Sequence, residues 1–300
     1  MREAMGFAAG RHLRPLLGFS RAALRHYADS AGLQWIEDPS NADVGYRRNL
    51  LRHDVLPLLT QQWPQAAALL ARAAQHAGEA ALLLDELAAA DLDRCRWRDT
   101  ATVLSVSALQ ALSPARQRNV LRYWLRVRGF LAPSTLHLET LVGQLHATPR
   151  TGHGRFAWPG TEIRRYRDQL HVMAPLTSLV PGPGVEWDLA GPLALPQLGG
   201  RLLATPVQGL GISRARLAGT AVQVRTRRGG EVCRLPGRAH HHKLKKLLQD
   251  RGVAPWWRER LPLLYSGDQL VAVADLWVCA PYAAAAGEAI RLGWTIAHEL

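Results

Sequence analysis

Residues 238–264 read RAHHHKLKKLLQDRGVAPWWRERLPLL, and the C-terminal part of the chain is organised around them. Lys243, Lys245, Lys246 and Arg251 crowd one short segment in which Asp250 is the only acid. Leu244, Leu247 and Leu248 recur at helical spacing, so one side can dock on a core while the lysines face water. Gly252 stops the helix and Pro255 follows it; Trp256 and Trp257 stand at the exit beside Arg258 and Arg260. A basic helix next to indoles suits a phosphate backbone with unstacked bases. Taken alone, the same residues suit equally well a solvated amphipathic helix that packs two core tryptophans. Around it, Val222-Gln223-Val224 alternates as a strand, with Arg225, Arg227 and Arg228 leading to Gly229-Gly230. Two further strands, Leu261–Tyr265 and Leu270–Val278, meet through Ser266-Gly267-Asp268. The reading is a small α/β domain at the C-terminus.

Composition favours an anionic partner. The 300 residues carry a formal charge of +13, from 37 Lys and Arg against 24 Asp and Glu, and nearly all the cations are arginine. The guanidinium fork matches phosphate oxygens, so nucleic acid is the first candidate and a membrane surface the second. No apolar run reaches the ~18 residues of a spanning helix, and the residues after Met1 do not form a secretory signal. Cys95, Cys233 and Cys279 are far apart and make no CxxC pair. The expectation is three reduced thiols in a cytoplasmic protein, with neither a disulfide framework nor a zinc knuckle. His240, His241 and His242 are consecutive, and three adjacent residues do not readily turn three imidazoles onto one ion, so no metal site is expected.

Along the chain, Ser20 is a good N-cap for a helix over Arg21–Ala31, which Gly32 closes. A polar turn, Glu37-Asp38-Pro39-Ser40-Asn41, precedes a second helix from about Val44 that ends near Pro57 or just beyond it. Ala and Leu recur at helical intervals from Trp63 to Arg94, one long helix in which Gly78 is the weak point. Ser113-Pro114 opens a helix that Gly129 ends, and Ser134 caps another over Thr135 to about His146. The period then changes: Phe156, Trp158, Ile163, Tyr166, Leu170 and Val172 fall in short segments broken by Pro159-Gly160 and Asp168-Gln169, the pattern of hairpins. Pro and Gly accumulate after residue 175, as in Pro181-Gly182-Pro183-Gly184, which reads as a linker with a hairpin over 176–214.

No complete catalytic motif is visible. There is no G-x-x-x-x-G-K-[ST], no G-x-S-x-G and no H-E-x-x-H. The one other purposeful polar cluster is Asp38-Pro39-Ser40-Asn41 with Arg47, Arg48, Asn49 and Arg52. Local chemistry leans to an Asx turn leading into a helix whose arginines pair with Asp38 or Asp43. The competing reading has Arg48 and Asn49 meeting an anionic substrate.

These same residues carry a resemblance. Arg14-Pro15-Leu16-Leu17, Trp35-Ile36-Glu37-Asp38-Pro39-Ser40-Asn41, Arg48-Asn49 with Arg52, Ile163-Arg164-Arg165-Tyr166, Lys243-Leu244-Lys245-Lys246, Gly252-Val253 and Pro255-Trp256 occur in order along nearly the whole chain. Together they resemble the tRNA(Ile)-lysidine synthase family. The resemblance implies ATP-dependent attachment of lysine to C2 of the wobble cytidine of a tRNA(Ile) with a CAU anticodon, with Mg2+ accompanying ATP. It implies an α+β multidomain chain: residues 1–62 the last portion of a PP-loop ATP-binding domain, 63–175 a mainly helical substrate-recognition domain with β hairpins, and 215–300 the tRNA-binding domain. By this likeness Arg48 and Asn49 are the catalytic candidates, and Arg238, Lys243, Lys245, Lys246 and Arg251 the tRNA-binding ones. The family's SGGxDS loop does not occur in this sequence. The expectation is therefore a chain that recognises tRNA, lacks most of the nucleotide-binding domain and has no cofactor-binding residue of its own. A non-enzymatic binder of structured RNA is the alternative.

Overall fold

The computed structural model describes residues 4–7, 10–98, 100–147, 153–179, 182–217 and 221–296. It divides into two compact units, Met1–Asp93 and Arg94–Leu300.

The first unit is built from local structure. A hairpin pairs Ala4–Phe7 with Gly10–Leu13. The helix Arg21–Ser30 starts where the Ser20 hydroxyl accepts the Ala23 N–H at 3.1 Å. The second helix begins at Arg47, not Val44, and runs past Pro57 to Gln62. A proline has no N–H and clashes with the carbonyl four residues back. Here the turn Leu51–Val55 widens to a π-helix just before it, and the chain continues instead of stopping. Ala66–Cys95 is one helix, unbroken at Gly78. A single glycine costs about 1 kcal/mol in a helix, and the surrounding Ala and Leu outweigh it. Up to residue 87, Asn49 is the only fully buried side chain among the described residues.

The second unit holds three five-stranded antiparallel sheets. In the first of them, Thr100–Ser105, Gln169–Met173, Thr161–Tyr166 and His153–Trp158 are neighbours in that order, and the helices Pro114–Val127 and Thr135–Ala147 accompany it. Asp168 ties the hairpin turn to the sheet edge, accepting from Ser105 Oγ at 2.8 Å and from the Ser107 N–H at 2.9 Å. The strand Thr100–Ser105 was not expected from the sequence; its alternation is short and lies directly after a helix.

The other two sheets enclose one core. Trp187, Leu202, Val224, Leu264, Val271 and Ile290 meet there, with Ile212 and Val271 wholly buried. Two expectations are corrected. The 176–214 stretch is not simply a linker: Val185–Trp187 pairs with Val222–Arg225, and Gly200–Gln208 pairs along its whole length with Glu288–Ile296. Pro and Gly here serve tight connections between strands rather than an interdomain tether; Pro181 lies outside the described residues. The C-terminal domain is also not α/β in the parallel sense. Its strands pair antiparallel through hairpins, which need no helical crossover.

The cysteine expectation is corrected as well. Cys233 and Cys279, separated by 46 positions, form a disulfide with their Cα atoms 5.7 Å apart, while Cys95 is buried and takes no part in that bond. Sequence spacing conceals this pair because a backbone contact, Ala280 N–H to the Arg234 carbonyl at 2.7 Å, brings the two segments together. A thiol titration of the denatured, unreduced chain should therefore count one thiol, and three after reduction. Cys279→Ser should lower unfolding free energy by about 2–4 kcal/mol in urea melts.

Candidate nucleic-acid interface

The lysine helix, Leu244–Asp250, has the polarity that its spacing demands. Leu244, Leu247 and Leu248 are buried, and Leu244 and Leu248 join Leu261, Leu263 and Val273 in one apolar cluster. Lys243, Lys245, Lys246, Arg251 and Arg238 are all exposed. Gly252, at φ +81°, closes the helix, and the Val253 N–H returns to the Leu248 carbonyl at 3.0 Å. The three lysines of this segment are the only lysines in the chain.

A basic turn stands beside the helix. Glu231 holds it: one carboxylate oxygen accepts the Arg228 and Gly229 backbone N–H groups at 2.5 and 2.7 Å, and the other receives Arg227 Nε at 3.2 Å. Burial pushes the Glu231 pKa up, but these backbone donors and the Arg227 charge outweigh it and leave the group below the usual glutamate value. With its carboxylate spent on the turn, Glu231 leaves Arg228 exposed. Thr226, Arg227, Arg228 and Lys245 line a cleft of about 400 Å³.

Trp256 is a packing anchor. Its ring meets Tyr166 and His171 edge-on at 6.3 and 5.2 Å, and the Arg164 guanidinium sits 5.3 Å from its centroid. Arg258 donates to the Tyr166 hydroxyl at 2.7 Å, and Arg167 donates to the Gln249 carbonyl at 3.0 Å. Arg260, itself buried, donates to the Thr177 carbonyl. A base cannot stack on an indole occupied in this way. Burial pushes the His171 imidazole down to about 4. A second cleft, of about 360 Å³, opens beside the Trp256 joint between Arg164 and Arg260.

Arg48 and Asn49 lie in the other unit and differ from each other. Arg48 is exposed. Asn49 is buried and donates both amide hydrogens to backbone, to the Ser40 and Asp43 carbonyls at 2.8 and 2.9 Å. Asp38 caps the same turn, accepting the Ser40 N–H at 2.8 Å; that bond, and the Ser40 side chain after it, hold the carboxyl below the usual range. In the expected competition between turn and site, Asn49 spends its donors on the turn. Arg25, not an arginine of the second helix, takes Glu37, at 2.7 Å. Among the described residues, no three His, Cys, Asp or Glu stand close enough to hold a metal ion, and no helix is long and apolar enough to cross a membrane. The sequence reading passed over Arg164 and Arg260, because their convergence depends on how the Trp256 segment packs onto a distant hairpin.

Comparison with known proteins adds the following. Residues 222–294 match the family model described as the TilS substrate C-terminal domain, residues 104–171 the TilS substrate binding domain, and residues 1–59 a PP-loop domain. The tRNA(Ile)-lysidine synthase of Coxiella burnetii is 38% identical over 287 residues, covering 96% of this chain and 62% of its own length. That of Alkalilimnicola ehrlichii is 41% identical over 288 residues, covering 96% of this chain and 64% of its own. That of Xylella fastidiosa Temecula1 is 40% identical over 302 residues, covering all of this chain and 65% of its own. The chain thus spans a little under two thirds of these relatives. A crystal structure of a TILS C-terminal domain aligns with TM-score 0.31 at 22% identity, over 38% of this chain and 98% of the other.

Two outcomes follow from this geometry. Asn49→Asp keeps the shape but loses the two donors, and should speed amide hydrogen exchange at Asp43, at a cost of about 1–3 kcal/mol. For His171 the unfolded side chain takes a proton near pH 6.5 and the folded one only near 4. Stability is thus present above the unfolded pKa and lost as pH falls between these values, by an amount on the order of 3 kcal/mol. Thermal melts should show this loss in the parent chain and not in His171→Phe.

Proposed function

We infer that the chain belongs to the tRNA(Ile)-lysidine synthase family and, from that premise, that it carries the tRNA-recognition part of a synthase that attaches lysine to the wobble cytidine. The observation that carries this reading is the agreement of two independent facts. The family matches fall on the segments 104–171 and 222–294, and the second of these contains the exposed lysine helix and the basic turn. The chain's charge of +13 supports an anionic partner of this size.

In this reading Lys243, Lys245, Lys246, Arg251 and Arg238 contact phosphates of a tRNA(Ile) with a CAU anticodon. Their contribution is largely electrostatic, because exposed ammonium and guanidinium groups exchange condensed counterions for phosphate contacts. Such contacts orient the tRNA without reading its bases. Lysine is the second substrate and ATP the activating one. The PP-loop match over residues 1–59 supports ATP use by the family. Mg2+ would accompany ATP in this reading, held chiefly through the nucleotide's phosphates and water. The reading therefore assigns no metal ligand here. Arg48, exposed beside the capped Asp38 turn, is the residue of that unit placed to meet an anionic group, with Asn49 as the positioning residue that fixes the turn.

Replacing Lys245 and Lys246 together by Ala should weaken tRNA(Ile) binding and lower the slope of log K against log salt by about 1–2, with the melting temperature unchanged. Unchanged affinity would remove the lysine helix from the interface. Filter binding should also favour tRNA(Ile) over tRNAs of other specificity. Equal affinity for several structured RNAs would instead favour a general RNA binder.

A further inference from the structure

Two clefts of the second unit remain outside this account, and they adjoin. The cleft of about 360 Å³ is lined by Arg164, Trp256, Arg260 and the segment Leu176–Leu179. The cleft of about 400 Å³ is lined by Thr226, Arg227, Arg228 and Lys245. Leu179 and Glu259 form a wall of both. The passage runs from the Trp256 joint to the lysine helix.

Its chemistry is cationic and incompletely matched. Arg260 is more than nine-tenths buried, yet no carboxylate among the described residues lies within 4 Å of it; its named acceptor is the Thr177 carbonyl. Burial lowers its pKa first, the neighbouring Arg164 charge lowers it further, and Glu259 acts the other way. A buried charge normally has a partner, because leaving it alone costs several kcal/mol. Glu162 does not supply the partner: it is already shared between Arg155 and Arg164. In the adjoining cleft Glu231 is occupied with its own turn, and Arg228 and Lys245 are left exposed. One lining residue of each cleft also has a buried polar atom with no hydrogen-bond partner, Trp256 Nε1 in one and Thr226 Oγ1 in the other. The indole N–H can only donate, so the missing group is an acceptor.

We propose that the two clefts are successive phosphate subsites for one RNA strand, with Arg164 and Arg260 at the first and Arg228 and Lys245 at the second. This rests on the tRNA-binding reading above and deepens it. A free anion would satisfy one subsite. Two in line, opening onto the lysine helix, fit a repeating polyanion whose charges follow one another along a backbone.

The test measures binding of the whole chain to tRNA(Ile) and to an unrelated structured RNA across a salt series, with thermal melts as the control. Arg228→Ala removes an exposed side chain and keeps the backbone contacts to Glu231. Thr226→Val keeps shape and removes the hydroxyl. Arg260→Gln keeps a donor for the Thr177 carbonyl and removes the charge. Arg228→Ala and Arg260→Gln should each weaken RNA binding about tenfold and lower the salt slope by about 1; Thr226→Val should weaken it without loss of melting temperature. If Arg260→Gln does not fold, the other two variants decide. Parent-like binding by Arg228→Ala and Thr226→Val would overturn the proposal. If the parent selects tRNA(Ile) and the variants bind as it does, the track falls and the synthase reading stands. If the variants lose affinity for both RNAs and the parent prefers neither, the track stands and the synthase reading falls.

Discussion

The edge-on seating of Trp256 on Tyr166 and His171 is the contact on which the second unit depends. The residues that meet there come from a hairpin at 161–173 and from the segment that follows the lysine helix. Aromatic pairs of this geometry contribute about 0.5–1.5 kcal/mol beyond the area they bury. The larger effect is directional. An indole held from two sides, with Arg258 bonded to the Tyr166 hydroxyl, fixes where the helix before it can point. The lysine helix is only seven residues long, too short to be stable alone, and takes its orientation from this contact and from its buried leucines.

The same contact explains why a basic segment contains two adjacent tryptophans. The two indoles differ in their surroundings. Trp256 is spent on the joint, and Trp257 lines a separate cleft of about 290 Å³ with Trp97, Thr102 and Met173. Cations act over a longer range than stacking and tolerate an imperfect fit. The arginines differ in exposure: Arg165 is buried within the fold, whereas Arg228, Arg238 and Arg251 face solvent.

Much of this was legible in the sequence wherever the determining interactions are local. The helices after Ser20, Ser113 and Ser134 were marked by their caps, the first two also by Gly32 and Gly129 at their ends, and Leu244, Leu247 and Leu248 announced the buried face of the lysine helix. What was hidden is long-range. Strand Gly200–Gln208 pairs with Glu288–Ile296 across some eighty residues, a partner that no local signal announces. The Cys233–Cys279 bond and the Arg164–Arg260 approach have the same cause: each joins segments whose meeting is decided by sheet order. At the candidate site, the exposed lysines could be read directly. The fate of Asn49 could not, because whether its amide faces a substrate or its own turn depends on the path of six to nine residues of backbone.

Confinement of lysine to one helix has a chemical consequence. Arginine supplies positive charge everywhere else in the chain, and guanidinium groups do not react with the acylating reagents, natural or synthetic, that modify amines. Lys243, Lys245 and Lys246 are exposed and consecutive around a single turn, so side-chain acylation of this protein is necessarily acylation of that face. Neutralising three charges there would leave the remaining arginine surface, and the fold beneath it, as they were. The molecule thus carries all its side-chain amines on one face, and, apart from the α-amino group, an amine-directed crosslinker would report on the surroundings of that face.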